Sequence, residues 1–188
     1  MREANRFLLH AFPVALVADA ESVVNRFIEV PQHTHISHFT VSVEKEILEI
    51  PGRIYHDPSL VPTIFLSSRQ KLILNCLLSR HHDGHIRQCN LEPIVSSREP
   101  WVVPFVVQLT GEYVIEILQV VYDNLARLDV AAYARFLRDN PAFHAKTEKR
   151  IISYWDCYYR NIDRREYVGF KLMEFYRAAV RETVPNPQ

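Results

Sequence analysis

Between Pro100 and Gly111 the chain runs Trp101-Val102-Val103-Pro104-Phe105-Val106-Val107-Gln108-Leu109-Thr110, apolar at nearly every position. Pro100 and Pro104 both suit the first turn of a helix, where their missing N–H groups cost nothing. A helix that is apolar on all sides has no face to give to water, so the rest of the chain has to be built around it. This run constrains the fold more than any other feature of the sequence.

What surrounds it reads mostly as helix. Ser67 with Gln70 three residues later forms a capping box, opening a helix in which Leu72, Ile73, Leu74, Cys76, Leu77 and Leu78 leave few polar faces. Asp83 is the natural N-cap of the next helix, which Pro93 cuts short near residue 92. Val114, Ile117, Leu118, Val121 and Leu125 mark a helix over residues 113–125. Further helices are expected at 130–139, 143–160 and 164–181, with Asp129, Asn140 and Asp163 as N-caps. Nearer the N-terminus a short helix fits residues 20–28, where Val23, Val24, Phe27 and Ile28 share a face. The period then changes to two. Phe39, Val41 and Val43 alternate with polar residues, Glu44, Lys45 and Glu46 supply a turn, and residues 47–54 form a second arm that Pro51 and Gly52 demote to an edge or bulged strand.

At 188 residues the chain is long enough for one domain with a sizeable core and short for two. The expected fold is therefore mainly α: one domain over residues 1–188, with an N-terminal helix and a small β-hairpin in 1–66 and a helical core in 67–188. In that core, antiparallel helix pairs form a bundle or a short repeat-like stack. Hydrophobic residues at 48% and charged residues at 23% exclude a disordered chain. Lys plus Arg and Asp plus Glu both count 22, so no global field steers the molecule to nucleic acid or an anionic membrane.

Cys76, Cys89 and Cys157 lack the paired spacings of zinc or redox sites and read as small buried hydrophobes in a reducing cytoplasm. Arg2 and Arg6 ahead of the apolar run at residues 7–17 imitate a signal peptide. Glu3, His10 and Pro13 interrupt the imitation, and a cleaved leader is not expected. No run approaches the roughly 20 uninterrupted apolar residues of a membrane span, so a soluble protein is expected.

Two histidine clusters stand out: His33, His35 and His38, and then Arg80-His81-His82-Asp83-Gly84-His85-Ile86-Arg87, which gathers cationic side chains around one carboxylate at a turn between helices. In the architectural reading Asp83 caps a helix, Arg80 closes the preceding helix at its carbonyl end, and Arg87 pairs with Asp83. In the ligand reading the N–H groups at Gly84, with Arg80, His81, His82, His85 and Arg87, hold a phosphate or carboxylate. Glu112 and Glu116, four apart on an otherwise apolar helix, are candidate buried ion-pair partners for Arg80 or Arg87. Between Lys146 and Arg181 nine basic residues face five acidic ones. There Tyr154-Trp155-Asp156-Cys157-Tyr158-Tyr159-Arg160, continued by Arg164 and Arg165, interleaves rings with cations as a single-strand nucleic-acid groove does. The same residues at helical spacing also serve as core.

Two family resemblances attach to these residues. Asp83-Gly84-His85-Ile86-Arg87 with Leu91 and Ile94 resembles the second half of a HEAT-type repeat, echoed 28 residues on by Val103-Pro104 and Gly111-Glu112-Tyr113-Val114. Over residues 67–128 the resemblance implies stacked helical pairs. His82-Asp83 in a helical setting is similar to the doublet of HD-type metal phosphohydrolases, which implies an earlier His, here His35 or His38, and a later Asp, here Asp123 or Asp129. With no nucleophile elbow, phosphate loop or dinucleotide fingerprint present, the expectation is a cytoplasmic, non-enzymatic helical scaffold or protein-interaction module. It takes a protein partner or a second copy of itself, with no catalytic residue, metal or cofactor, and no membrane or nucleic acid. The metal phosphohydrolase and a nucleic-acid-associated protein are the alternatives.

Overall fold

The structure, a computed structural model, describes residues 6–28, 37–55 and 63–182. Within them lie eight α-helices and one two-stranded antiparallel hairpin. The chain divides into two compact units, Met1–Ile94 and Val95–Gln188. Two helices beyond the division expected at 66/67 fall in the same unit as the hairpin.

In the first unit, 3-10 turns at Phe7–Ala11 and Val14–Leu16 lead into α1 (Val17–Phe27). The hairpin follows as β1 (His38–Val43) and β2 (Glu46–Pro51), then a 3-10 turn at Thr63–Phe65, α2 (Ser68–Leu78) and α3 (Gly84–Leu91). Within the apolar run that imitates a signal peptide Leu8 and Ala11 are fully buried while Val14 is exposed, and the Phe7–Ala11 turn lies on β2. The hairpin pairs Val41 with Leu48 and Val43 with Glu46. One face buries Val41, Val43, Leu48 and Ile50 while Ile47 stands exposed, the alternation that a half-buried strand requires. Its two-residue turn places both Glu44 (φ 50°) and Lys45 (φ 73°) in the left-handed region. That geometry matches the right-handed twist of the strands but is normally given to Asn and Gly.

The second arm ends at Pro51, short of the expected residue 54, because the chain leaves the hairpin to pair elsewhere. Ile54 forms an isolated parallel bridge with His81, its N–H donating to the Arg80 carbonyl at 2.8 Å and its carbonyl accepting from His82 N–H at 3.0 Å. α1 and α3 both pack on α2, whose capping box is formed as the sequence predicts.

In the second unit a 3-10 turn (Pro100–Val102) enters α4 (Val103–Thr110). Every residue of α4 is buried, and it contacts α5 (Ile115–Asp123), α6 (Val130–Asp139) and α7 (Pro141–Tyr158). The apolar run thus becomes the centre that its composition demands. α8 (Val168–Glu182) packs on α5, α6 and α7. It is tied to α7 by Arg177, whose guanidinium reaches both Glu148 oxygens at 2.6 and 3.0 Å, and to α6 by a stacked Tyr133–Tyr176 pair.

Asp129 caps α6 by accepting from Ala132 N–H, as expected. Asn140 occupies the N-cap position of α7 but turns its amide back to the Phe136 carbonyl, so it terminates α6 instead. α8 starts at Val168 and not near 164, because Asp163 closes a tight turn by accepting from Arg165 N–H and from the backbone N–H groups of Glu166 and Tyr167. That turn carries Tyr167 into the core.

Candidate functional site

Residues 80–87 form a backbone-stitching device within the first unit. α2 ends at Leu78, and the turn that follows buries Ser79, Arg80 and His81 almost completely. Arg80 does not return to the carbonyl end of α2 as the sequence suggests. Its Nε donates to the Pro51 carbonyl at 3.1 Å and its Nη2 to the Gly52 carbonyl at 2.6 Å. Both acceptors sit where β2 runs out and the ladder no longer supplies donors, so the guanidinium replaces missing strand partners.

Arg87, 1% exposed on α3, does not pair with Asp83 either. Its Nη1 donates to the His81 carbonyl at 3.0 Å and the His82 carbonyl at 2.7 Å. A planar, multi-donor cation suits this work because it serves several carbonyls at once.

Asp83 caps α3 as the sequence predicts, its Oδ1 accepting from His85 N–H at 2.8 Å and Ile86 N–H at 3.4 Å. Those backbone bonds, from His85 first, hold its carboxyl below the usual carboxylate range. A depressed carboxylate contributes stability above its unfolded value, and the contribution is lost as pH falls through the folded value. Asp83→Ala is expected to lower the urea midpoint at pH 7 and, on acidification below about pH 4, to lose less further stability than wild type. Asp83→Asn should keep most of the cap at neutral pH. Equal acid sensitivity of wild type and Asp83→Ala would count against this role.

The histidines are used unequally. His81 is buried and its Nδ1 accepts from Asp83 N–H at 3.0 Å, which places the ring proton on Nε2. His82 is exposed and stacks nearly parallel on Tyr55, centroids 5.1 Å apart, with the His81 ring at 4.3 Å. His85 is exposed and directs Nε2 to the Cys89 sulfur one turn along α3, at 3.7 Å. His33 and His35 lie outside the described residues, and His38 opens β1 with its ring against Phe7.

Three residues that the phosphohydrolase resemblance implies make hydrogen bonds within their own helices. The Asp83 carboxylate serves backbone N–H groups, Asp129 caps α6, and Asp123 accepts from the Gln119 amide. Among the described residues no group of three or more His, Cys, Asp or Glu side chains is placed to hold a metal ion.

Glu112 and Glu116 belong to the second unit and do not share a helix. Glu112 is buried in the turn after α4, while Glu116 is exposed in the first turn of α5, which starts only at Ile115. Gly111 ends α4 and Val114 is extended, so the helical register expected through 112 and 116 is broken.

The aromatic stretch expected as core or nucleic-acid groove divides between two roles. Trp155 donates Nε1–H to the Ile162 carbonyl, and the Arg164 guanidinium lies over the Trp155 ring at 4.6 Å and the Phe170 ring at 5.5 Å. Arg160 pairs with Asp156 at 2.7 Å. The Trp155 ring and the Arg160 and Arg164 guanidinium groups are thereby engaged within the second unit.

Tyr167 is buried, stacked on Tyr159, and burial pushes its hydroxyl up to about 12. Tyr113 (50% exposed) and Tyr158 (63%), by contrast, face solvent. With Tyr154 they form a triad of rings at 6.0 to 6.2 Å centroid spacing, joined at Tyr158 by Tyr159, whose hydroxyl donates to the Tyr113 carbonyl at 2.6 Å. Sequence spacing alone did not separate these exposed rings from the buried ones. Tyr113 lies about forty residues from the others and joins them only through the fold of the second unit.

That unit also holds an open cavity of about 550 Å³ lined by Ser96, Arg98, Ala126, Arg127, Leu128 and Asp129. Arg127 is fixed there by Asn124 and Ser96, and the Asp129 carboxylate faces its own helix terminus.

No described helix is long and apolar enough to cross a membrane. The chain matches no protein-family model, no curated protein and no solved structure.

Proposed function

We propose that the protein is a non-enzymatic helical interaction module that binds a second copy of itself through the exposed tyrosine surface of its second unit. The observation that carries this reading is the ring triad Tyr113, Tyr154 and Tyr158, of which Tyr113 and Tyr158 are half or more exposed. Tyrosine gives large, rigid, amphipathic contact area at low entropic cost, which is why it is enriched at interfaces.

A second copy suits this surface because its neighbours carry both signs, as in the Arg160–Asp156 pair, and can complement themselves across a two-fold axis. Equal numbers of acidic and basic residues leave no net repulsion between copies. In support of a non-catalytic role, the polar cluster at 80–87 is engaged with backbone groups on several sides.

Light scattering behind a sizing column, run over a wide concentration range, tests the reading. The expected result is a mass that rises from monomer toward dimer, with the Tyr113→Ser, Tyr158→Ser double variant weakened by roughly tenfold or more. A monomer mass at every concentration, or a dimer untouched by the double variant, would overturn it.

A further inference from the structure

The exposed His85–Cys89 pair on α3 is built by helical periodicity alone, since residues four apart share a face. Its two donor atoms already converge. Nε2 and Sγ are 3.7 Å apart, and each is the other's sole polar partner among the described residues. A tetrahedral zinc ion holds nitrogen at about 2.0–2.1 Å and thiolate sulfur at about 2.3 Å, so the edge joining them spans about 3.6 Å. The pair therefore stands at the separation of two ligands on one ion, on a helix whose backbone need not move. Imidazole and thiolate together select borderline-soft cations over magnesium or calcium.

We infer that His85 and Cys89 form a two-donor site for a thiophilic d10 divalent cation such as zinc, with water in the remaining positions. Binding replaces the thiol proton, which passes to solvent, by a sulfur–metal bond, and the neutral imidazole adds its Nε2 lone pair. Affinity accordingly rises with pH. The site is independent of the tyrosine surface and of the proposed self-association. With no third protein donor among the described residues, the metal keeps exchangeable positions and is the labile kind, not a structural centre.

Titration of the full-length, reduced protein with Co²⁺ tests this, because a cobalt–thiolate bond gives a near-ultraviolet charge-transfer absorption that a hydrogen-bonded thiol does not. The expected result is an absorption that saturates at one cobalt per chain and is displaced by zinc. It should be abolished in Cys89→Ser, weakened roughly tenfold or more in His85→Ala, and unchanged in Cys157→Ser. All three side chains are exposed, so circular dichroism should show all three variants folded. No absorption in the wild type, absorption that survives Cys89→Ser, or affinity indifferent to His85→Ala would each overturn the site and leave only a thiol–imidazole hydrogen bond.

Discussion

Arg80→Ala is expected to lower the unfolding free energy by about 3–6 kcal/mol, because hydrogen bonds from a charged donor are worth about 1.5–3 kcal/mol each and two are lost together. The acceptors make the loss hard to recover. The Pro51 and Gly52 carbonyls lie at the exit of β2, and the Arg80 side chain that reaches them is fully buried. Deleting it leaves a void and at least one buried acceptor without its donor. The Gly52 carbonyl keeps a second donor in Arg53 Nη1 at 3.1 Å, whereas the Arg80 Nε bond is the one shown at Pro51.

Arg80→Lys should recover only part of the stability, since one ammonium on a flexible stem does not serve two carbonyls in the geometry of a planar fork. Urea denaturation at pH 7 measures the loss. Amide exchange at Ile54 and His82 should accelerate in the same variant, because their bridge is held between the two segments that Arg80 joins. A loss below about 1 kcal/mol, the size of a surface substitution, would mean that the guanidinium only accompanies the joint and does not hold it.

The same residue shows where sequence reading stops. Local signals at 67–92 are legible because their causes are local: Ser67 and Gln70 satisfy each other's N–H groups within one turn, and Asp83 meets the N–H groups of the two residues beyond Gly84. The all-apolar stretch around Phe105 announces a central helix because no other environment accepts it. The targets of Arg80, by contrast, are backbone carbonyls 28 and 29 residues away, and a carbonyl carries no side-chain signature. Charge and spacing match Arg87 to Asp83, yet its Nη1 donates to the nearby His81 and His82 carbonyls at the turn.

Helix starts misread by a few residues have the same origin. In α5 the periodic apolar residues extend back to Val114, which is extended and precedes the helix. At 163–167 a tight turn uses an apolar ring for packing without being helix. The exposed tyrosines were hidden differently, because helical spacing says which rings share a face but not whether another element covers that face.

Gly169→Ala should destabilise the protein by about 1–3 kcal/mol, although a glycine near the start of a helix is ordinarily a place where alanine stabilises by about 0.5–1 kcal/mol. The sign is set by sterics. A Cβ at position 169 would stand 2.5 Å from Tyr167 Cε1 and 2.9 Å from Ile151 Cγ2, and both of those side chains are buried. Tyr167 has no simple retreat, because its ring is stacked on Tyr159 at 5.4 Å and edge-on to Phe170 at 5.7 Å. Moving it pushes Tyr159, whose hydroxyl anchors the Tyr113 carbonyl at the base of the exposed ring triad.

The variant should therefore lose both thermal stability and self-association, whereas a merely local clash would cost only the first. Gly111→Ala is the control in the same unit. A Cβ there meets its nearest atoms, on Arg150 and Thr147, at 3.4 Å, and the backbone angles (φ −90°, ψ 29°) are open to any residue, so a change within about 0.5 kcal/mol is expected. Thermal melts of the two variants side by side decide the matter. If Gly169→Ala melts at or above the wild type, α8 is not seated on Tyr167 and Ile151, and the path from that seat to the tyrosine surface fails with it.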